Sequence, residues 1–406
     1  MNNTRPNLKH KKRFFEFLIE KGLLICGSMT GIIIILIVIF LFKEGASFFT
    51  NRIIEQGYVL AINAKNPIRK IDSKDIKDIF DAKITNWKEL GGNDQEIMLF
   101  RFEDLTEFYT EEELGKDFEL VPEKINEVIA HYEGIIAFVP EMFIPEDFKG
   151  VLIDDPRISL AAFFGGTEWI PTTTPSPQFG VLPLLLGTLW VSIAAILIAL
   201  PLSLAIAIYL AEIANMRVRN ILKPLIELLA GIPSVVYGFF GLIVVVPFVQ
   251  KVFGLPLGET GLTGSLILAI MALPTIVTVA EDAMRNTPRS MKEASLALGA
   301  TQWQTIQKVV LPYSKSGISA AVVLGIGRAI GETMAVLMVT GNAAVIPTTL
   351  MEPLRTIPAT IAAELGEAPK GGVHYEALFL LGCILFLITL IISITVDHIN
   401  RKKTYA

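Results

Sequence analysis

Six apolar runs constrain the fold of this chain more than any other feature of its sequence. They lie at 22–42, 181–210, 225–250, 262–281, 316–340 and 376–396. About 20 predominantly apolar residues are enough for a helix to cross a ~30 Å hydrocarbon core. The first run is too long for the apolar part of a signal peptide, and no cleavage site is obvious after it, so we expect it to remain as an anchor. The pattern predicts an all-α polytopic membrane protein with six transmembrane helices.

The basic residues fall on one side of this predicted topology. With six spans, both termini lie on the same side as the loops after spans two and four. That side carries Lys9, Lys11, Lys12, Arg13, Arg217, Arg219, Lys223, Arg285, Arg289, Lys292, Lys308, Lys315, Arg401, Lys402 and Lys403. By the positive-inside rule we expect a multi-pass protein of the cell membrane, with cytoplasmic tails at 1–21 and 397–406.

A long polar segment separates the first span from the second. Strand patterns occur at 57–67, 96–102 and 134–140, and helix patterns at 72–80 and 123–134. In the second helix, the apolar residues Ile125, Val128, Ile129 and Tyr132 share one face. We therefore predict a small extracytoplasmic α/β domain at 43–162, called the insert below, and a Pro- and Thr-rich linker at 163–180.

The loop between spans four and five predicts two short helices joined by a tight turn. Ser290 with Glu293 fits a capping box, and so does Thr301 with Gln304. Gly299 stands where the first helix should end, and glycine readily takes the left-handed conformation of a helix C-cap. A surface linker between two spans would show the same pattern, so the loop by itself does not identify a function.

The fifth apolar run carries two charges at its centre, Arg328 and Glu332. Charged residues inside a membrane are costly and usually face a bundle interior or a water-filled pathway. The two residues are four apart, so they could also neutralise each other on one helix face. From these two residues alone, a role in a substrate pathway and a role as an ion pair in helix packing are equally well supported.

Metal and thiol chemistry find little support in the sequence. Cys26 and Cys383 both fall in predicted spans, which implies neither a disulfide framework nor a thiol metal site. The four histidines include no pair with metal-ligand spacing, so we expect no metal centre.

The loop resembles the "EAA" signature of importer permeases of the ATP-binding-cassette (ABC) class. The resemblance rests on the pairs Glu293-Ala294, Gly299-Ala300 and Leu311-Pro312 within residues 287–312. In that family this loop docks into a cleft of a cytoplasmic ATPase. The resemblance implies that these six residues couple the chain to such an ATPase and that 287–312, called the coupling loop below, is cytoplasmic.

Four further segments resemble the phosphate permeases of this class, and among them the PstC type. They are FFGGTEWIP at 163–171, LLAGIPSVVYGFFGL at 228–242, ALPTIVTVAEDAMRNTPRSMKEASLALGAT at 272–301 and GIGRAIGETMAVLMVTGN at 325–342. The resemblance implies a type I importer permease core with five transmembrane helices at 181–396. It favours Arg328 and Glu332 as residues of the substrate pathway.

The insert departs from the usual members of this family and has a resemblance of its own. Residues 66–92 are similar to part of the phosphate-binding proteins that deliver substrate to these permeases. Their Gly-Ser-Gly-Thr anion loop is replaced by FEDLTEF at 102–108, where Glu103 and Asp104 would repel an anion. We therefore expect the insert to dock or gate rather than to bind phosphate itself.

Together, these resemblances imply the permease subunit of an ATP-driven phosphate importer, forming half of the transmembrane pathway. The sequence holds no Gly-x4-Gly-Lys-Ser/Thr loop, so a partner chain is expected to use ATP and Mg, while this chain binds no cofactor and has no catalytic residue. The implied partners are a second permease subunit (PstA type), a cytoplasmic ATPase dimer, an extracytoplasmic phosphate-binding protein, inorganic phosphate and the lipid bilayer. Nucleic acid is not among them.

Two alternatives stay open at this point. The same machinery could import another oxyanion, such as sulfate or molybdate, because an arginine alone does not distinguish these. A membrane phosphate sensor without transport is the second, although six spans exceed what a simple sensor needs. An intramembrane hydrolase would require a nucleophile with its base or a His-Glu-x-x-His motif, and the sequence has neither.

Overall fold

A computed structural model of the chain describes residues 6–50, 52–54, 57–110, 112–154 and 158–402. The ends of the two predicted tails, 1–5 and 403–406, lie outside the described residues. The described chain is mainly helical, with one small mixed sheet in the insert, which confirms the predicted fold class.

The first span is a single long helix, α1 (Pro6–Ser47). Its apolar section, Ile19–Ser47, extends beyond the predicted 22–42 at both ends. Its last turns pack against the final helix of the chain, where Phe40 meets Phe379 edge to face with ring centroids 5.5 Å apart. Much of the rest is apolar and exposed, as expected for a helix surrounded by lipid.

The insert is a four-stranded sheet with a helix on each face. In chain order its elements are β1 (Tyr58–Asn63), α2 (Ser73–Phe80), β2 (Met98–Arg101), α3 (Leu105–Phe108), α4 (Val121–His131), β3 (Ile135–Pro140) and β4 (Gly150–Leu152). The strand order is β2-β3-β1-β4; β2 runs parallel to β3, and β1 runs antiparallel to both β3 and β4. The predicted strands and helices are all present. Strand β4 was not predicted, because three residues are too few to show an alternating pattern.

Both faces of the sheet are buried by side chains at the predicted spacing. Ile76 and Ile79 of α2 lie under one face together with Trp87, and Ile125 and Ile129 of α4 lie under the other. Tyr132 was predicted on the same buried face, but it lies just beyond the end of α4 and is largely exposed.

The predicted linker is a structured hairpin rather than a loose connection. It contains α5 (Leu160–Gly165), β5 (Trp169–Ile170) and β6 (Gln178–Phe179), with β5 and β6 antiparallel. Trp169 and Phe179 are buried in an aromatic cluster with Phe48 and Phe163. The hairpin therefore packs against the end of α1 and the start of the second span.

The second, third and fourth spans follow in order. Their elements are α6 (Leu182–Ile208) with a π-helical turn at Tyr209–Ile213, α7 (Met216–Gly231), α8 (Ser234–Phe240) with a π-helical turn at Gly241–Val245, α9 (Val246–Phe253) and α10 (Gly261–Arg285). The predicted third span, 225–250, begins too early. The chain breaks at Ile232-Pro233, because proline has no backbone N–H to continue a helix, and the span starts at Ser234.

The C-terminal half holds the coupling loop and the last spans. Its elements are α11 (Arg289–Ala297), α12 (Gln302–Thr305) with a π-helical turn at Ile306–Val310, α13 (Leu311–Tyr313), α14 (Lys315–Gly331), α15 (Met334–Val339), α16 (Ile357–Glu364) and α17 (Val373–Lys402). The prediction of one continuous fifth helix at 316–340 is wrong, because the chain leaves helical geometry at Glu332 and Thr333 and resumes as α15.

Five described helices are long and apolar enough to cross a membrane, and a bent pair brings the total to six. The five are Ile19–Ser47, Leu182–Ile213, Ser234–Phe253, Gly261–Arg285 and Val373–Val396. The bent pair joins Gln302–Tyr313 to Lys315–Gly331 at an angle of 71°.

Helices α10 and α14 cross at close range because glycine removes the side chain at their contacts. A Cβ atom placed on Gly325 would stand 2.6 Å from Ile276, and one on Gly317 would stand 2.3 Å from Ala283. Small residues of this kind let membrane helices approach backbone to backbone. By contrast, a Cβ atom on Gly327 would meet nothing within 4 Å.

This difference predicts opposite outcomes for two neighbouring glycine substitutions. We expect Gly325→Ala to lower the free energy of unfolding by about 1–3 kcal/mol, because the added methyl group overpacks the α10–α14 crossing. Gly327→Ala should leave it unchanged or raise it by up to about 1 kcal/mol, since alanine favours the helix and finds open space. Thermal unfolding of the purified chain in detergent measures both, and equal losses would contradict the packing described.

Candidate substrate pathway and docking surfaces

Arg328 lies in the last turn of α14 and reaches across to α10. Its Nη1 atom donates a hydrogen bond to Oγ1 of Thr275 at 3.1 Å. The side chain is partly buried, and no carboxylate pairs with it among the residues that the structure describes. An arginine has five N–H donors in a planar fork, so this single bond leaves the guanidinium free to bind an oxyanion in bidentate fashion.

Glu332 does not form the predicted helical pair with Arg328. Helix α14 ends at Gly331, and Glu332 has extended backbone geometry with φ −72° and ψ 131°. Its Oε1 atom accepts a long hydrogen bond, 3.4 Å, from the backbone nitrogen of Ala335. The i,i+4 ion pair fails because it requires an unbroken helix, and the carboxylate instead lies beside the first turn of α15.

The coupling loop contains the two predicted helices. Of the two predicted capping boxes, one is present and one is absent. Thr301 and Gln304 form the capping box, in which Oγ1 of Thr301 accepts from the nitrogen of Gln304 at 3.2 Å. Gly299 has φ +84°, which confirms the left-handed turn. The box predicted for Ser290 is absent, because α11 already begins at Arg289 after Pro288, a residue that fixes the helical entry by itself.

The predicted coupling residues are accessible, and apolar side chains surround them. Glu293, Ala294, Gly299 and Pro312 are exposed, while Ala300 and Leu311 are partly buried. Four large apolar side chains of the loop are also exposed: Met291, Leu296, Leu298 and Trp303. Leu298 is 90% exposed, and sequence reasoning missed it because a leucine in a helix pattern suggests burial. Several large apolar side chains exposed within one short loop are typical of a protein interaction site.

A salt bridge and a hydrogen bond fix the coupling loop to the end of the second span, and a further hydrogen bond joins the two helices of the loop. The Lys292 ammonium pairs with Glu212 at 2.6 Å, and the side-chain amide of Gln302 donates to the carbonyl of Glu212 at 2.8 Å. Ser295 and Thr305 share a hydrogen bond of 3.0 Å between the two helices of the loop. Movement of the loop is therefore transmitted to the end of the second span.

Glu281 is a buried carboxylate that joins α7 to α10. It is 1% exposed and pairs with Arg219 at 2.8 Å and with Lys223 at 2.6 Å. The positions of Glu281, Asp282 and Glu212 at the ends of predicted spans, next to basic loops, predict solvated or paired residues rather than residues of a substrate pathway. All three are paired, and Glu281 is buried rather than solvated.

Loss of the Glu281 charge should therefore loosen α7 from the core. We expect Glu281→Gln to lower the free energy of unfolding by about 3 kcal/mol, because Arg219, Lys223 and the more distant Arg285 would remain beside a neutral group. Asp282→Asn is the matched control: Asp282 also contacts Lys223, but its side chain is 57% exposed, and exposed pairs contribute at most about 1 kcal/mol. Denaturation of the two variants in detergent gives the comparison, and similar losses would show that the burial of Glu281 has no energetic importance.

A polar cluster at the opposite end of the bundle joins the hairpin to α16 and α17. It consists of Trp169, Arg355, Glu364 and His374, and it is called the outer polar cluster below. Glu364 accepts hydrogen bonds from Nε1 of Trp169 at 2.9 Å and from Nη1 of Arg355 at 2.6 Å, and Nε2 of His374 lies 2.9 Å away. Burial opposes ionisation of Glu364, but bonds from His374 and Trp169 and the charge of Arg355 outweigh it and lower its pKa. The carboxylate is therefore held in its ionised form.

The insert is fixed to the hairpin through the start of α2. Lys77, whose side chain is 10% exposed, pairs with Asp81 at 2.7 Å and with Glu168 at 3.1 Å. The bond to Asp81 raises the pKa of Lys77, burial lowers it, and the bond to Glu168 raises it further, so that the net shift is upward. Ser73 and Ser176 share a hydrogen bond of 2.8 Å beside this pair. The insert is thus docked on the permease rather than tethered loosely.

The segment after β2 shows why the insert is poorly suited to hold an anion. Oδ2 of Asp104 accepts from the backbone nitrogen of Arg101 at 2.7 Å. The hydroxyl of Thr106 donates to the carbonyl of Glu103 at 3.2 Å. The Asp104 carboxylate therefore binds a backbone N–H that an anion loop would offer to its ligand. The hydroxyl of Thr106, the only one in the 102–108 segment, already donates its hydrogen to a carbonyl.

Two family models match separate parts of the chain. The binding-protein-dependent transport system inner membrane component matches residues 203–405, and the PBP superfamily domain matches residues 42–139. The binding-protein match ends within the insert, and the transport-component match begins within the second span. The chain thus combines a permease sequence with a sequence of the binding-protein kind.

Individual relatives match a little more than half of the chain. A Bacillus subtilis (strain 168) protein named "Probable ABC transporter permease protein YqgH" is 40% identical over 246 residues, which cover 61% of this chain and 79% of that protein. The phosphate transport system permease protein PstC of Mesorhizobium japonicum is 41% identical over 250 residues, covering 57% of this chain and 75% of that protein. Among solved structures, an inward-facing MetNI methionine ABC transporter covers 55% of this chain and 94% of its own chain, at 21% identity and a TM-score of 0.42.

Proposed function

Because this chain belongs to the binding-protein-dependent transport system inner membrane component family, we propose that it is the permease subunit of an ATP-driven phosphate importer. It is a multi-pass membrane protein and a transport component rather than an enzyme. The observation that carries the phosphate assignment is its 41% identity over three quarters of a phosphate permease.

In this proposal both termini and the coupling loop are cytoplasmic. The support is the concentration of lysine and arginine on that side of the bundle. The insert and the outer polar cluster then face the outside. This orientation places the exposed apolar side chains of the coupling loop where a soluble ATPase can reach them.

Arg328 supplies the fixed positive charge of the substrate pathway. A partly buried guanidinium without a carboxylate partner, among the residues described here, is costly unless an anion binds to it. Phosphate satisfies the free donors as it passes, and the modest number of contacts lets it leave again. Glu332, at the break between α14 and α15, borders the pathway and can accept a hydrogen bond from a protonated phosphate.

The coupling loop carries the energy of ATP hydrolysis into the spans. A dimeric cytoplasmic ATPase docks on Glu293, Ala294, Gly299, Ala300, Leu311 and Pro312, and it uses ATP and Mg itself. The bonds from Lys292 and Gln302 to Glu212 then move the second span. A second permease subunit of the PstA type supplies the other half of the pathway.

The insert serves as a docking platform for the extracytoplasmic phosphate-binding protein. It belongs to the same broad structural class as such proteins, but its own anion loop is blocked by Asp104. Its attachment through Lys77 and Glu168 gives the platform a fixed position over the hairpin.

Uptake of labelled phosphate tests the transport function. The chain is co-expressed with its neighbouring permease, ATPase and binding-protein genes in cells that lack their own high-affinity system. We expect uptake that survives excess sulfate and falls at least tenfold in Arg328→Gln, with the protein still present in the membrane. Uptake blocked by sulfate would indicate that the substrate is another oxyanion. No uptake from an assembled complex would favour a sensor. Full uptake in Arg328→Gln would show that this arginine contributes only to helix packing.

A second measurement tests the docking platform. Lys77→Met removes the ion pair with Glu168 while keeping the length of the side chain, and Lys83→Met is the control, because Lys83 is exposed and pairs within the insert, with Asp78 and Asp81. We expect Lys77→Met to weaken binding of the phosphate-loaded binding protein to the detergent-solubilised complex by about tenfold, as the platform loses its fixed position. Equal affinity for the wild type and both variants would exclude this role for the docked insert.

A further inference from the structure

The proposed pathway leaves one polar side chain without a role, the hydroxyl of Thr275 on α10. It is the residue that receives the hydrogen bond from Arg328. The crossing of α10 and α14 brings the two together, because Gly325, one turn before Arg328, lies directly against Ile276. Their contact thus follows from the closest approach of two helices and is not a chance meeting of long side chains.

The use of the Thr275 hydroxyl differs from that of several other hydroxyls in the bundle. Those of Thr188, Ser265 and Thr340 donate back to the carbonyl of the residue four positions earlier in their own helix. In the described residues, the Thr275 hydroxyl accepts from Arg328 and donates to no protein group. A hydroxyl carries one donor as well as its acceptor sites, so its hydrogen remains available.

The surrounding backbone of α10 is also unusual. Pro274 immediately precedes Thr275 inside the helix and interrupts its hydrogen bonding. The hydroxyl of Ser203 on α6 donates to the neighbouring carbonyl of Leu273 at 3.4 Å. Thr275 therefore stands at an irregular point of a buried helix, which is a common setting for binding sites inside membrane bundles.

We propose that Thr275 is a positioning residue of the anion pathway. It holds the Arg328 guanidinium in a fixed orientation and turns its own hydroxyl hydrogen toward the oxyanion that the arginine attracts. This inference rests on the proposed function, because it assigns a second group to the same site. It adds a contact from α10, so the anion would be held between α10 and α14.

The test compares three variants in proteoliposomes that contain the complete complex and its binding protein. Thr275→Val keeps the shape of the side chain without the hydroxyl, and Thr275→Ser keeps the hydroxyl. Thr278→Val is the matched control on the same helix, since Thr278 makes no hydrogen bond to Arg328. Labelled phosphate uptake and ATP hydrolysis are measured in the same vesicles.

We expect Thr275→Val to lower the phosphate transported per ATP hydrolysed by about tenfold, the effect of losing one hydrogen bond to a charged group. Thr275→Ser and Thr278→Val should stay within about twofold of the wild type. A role in packing alone would lower complex yield and ATP hydrolysis together and would not be rescued by serine. That outcome, or normal transport in Thr275→Val, would overturn the proposal.

A double variant tests whether Thr275 acts through Arg328. In an Arg328→Lys background, which keeps a cation but loses the planar fork, Thr275→Val should cause little further loss, because the partner it positions is gone. Losses that multiply would show that the two residues act independently.

Chemical labelling separates failure of this inference from failure of the proposed function. Phenylglyoxal modifies accessible arginines, and mass spectrometry reports the modified fraction of Arg328 without any transport assay. We expect faster modification of Arg328 in Thr275→Val than in the wild type or in Thr278→Val. If the wild-type complex moves no phosphate but this difference persists, the positioning role stands and the substrate is wrong; equal labelling rates in all three proteins would refute the positioning role.

Discussion

The close packing of α10 against its neighbours is the constraint on which the rest of the permease core depends. Of the described spans, α10 is the most buried, and its contacts differ in kind along its length. Near its middle, glycine contacts with α14 bring Thr275 within reach of Arg328. At its end, Glu281 binds two cations of α7. One helix thus places both the candidate pathway residue and an amphipathic helix of the proposed cytoplasmic face.

The two ends of the bundle are linked to the spans by different interactions. At the proposed cytoplasmic end, single strong pairs such as Lys292 with Glu212 connect the coupling loop to the second span. At the outer end, the hairpin connects two systems: Glu168 binds the insert and Trp169 binds Glu364. Because these two residues are adjacent, a displacement of the insert is passed directly to α16 and α17. Together with the packing of Phe48 and Ile158 against the spans, this contact connects the insert mechanically to the bundle.

The broken fifth span changes how its charges are understood. Had α14 continued through Glu332, the carboxylate would have stood one turn from Arg328 and neutralised it. The break turns the backbone at Glu332 and leaves Arg328 with a neutral partner, Thr275. A cation without a charged partner inside a membrane protein costs free energy. Binding of a substrate anion would offset that cost, which favours a role for Arg328 in the pathway.

The sequence by itself determined the membrane class, five of the six crossings to within a few residues of one or both ends, the α/β nature of the insert and the cap at Thr301. These features depend on local hydrophobic periodicity and on short-range capping, which are written in adjacent residues. Only the tertiary structure decided the break at Glu332, the pairing of the short strand β4, the exposure of Leu298 and the pairing of Arg328 with Thr275. Each of these depends on contacts between residues far apart in sequence, or on a competition between helix continuation and such contacts. Thr275 and Arg328 are separated by a whole cytoplasmic loop, and no local pattern in either helix specifies which of its faces will meet the other.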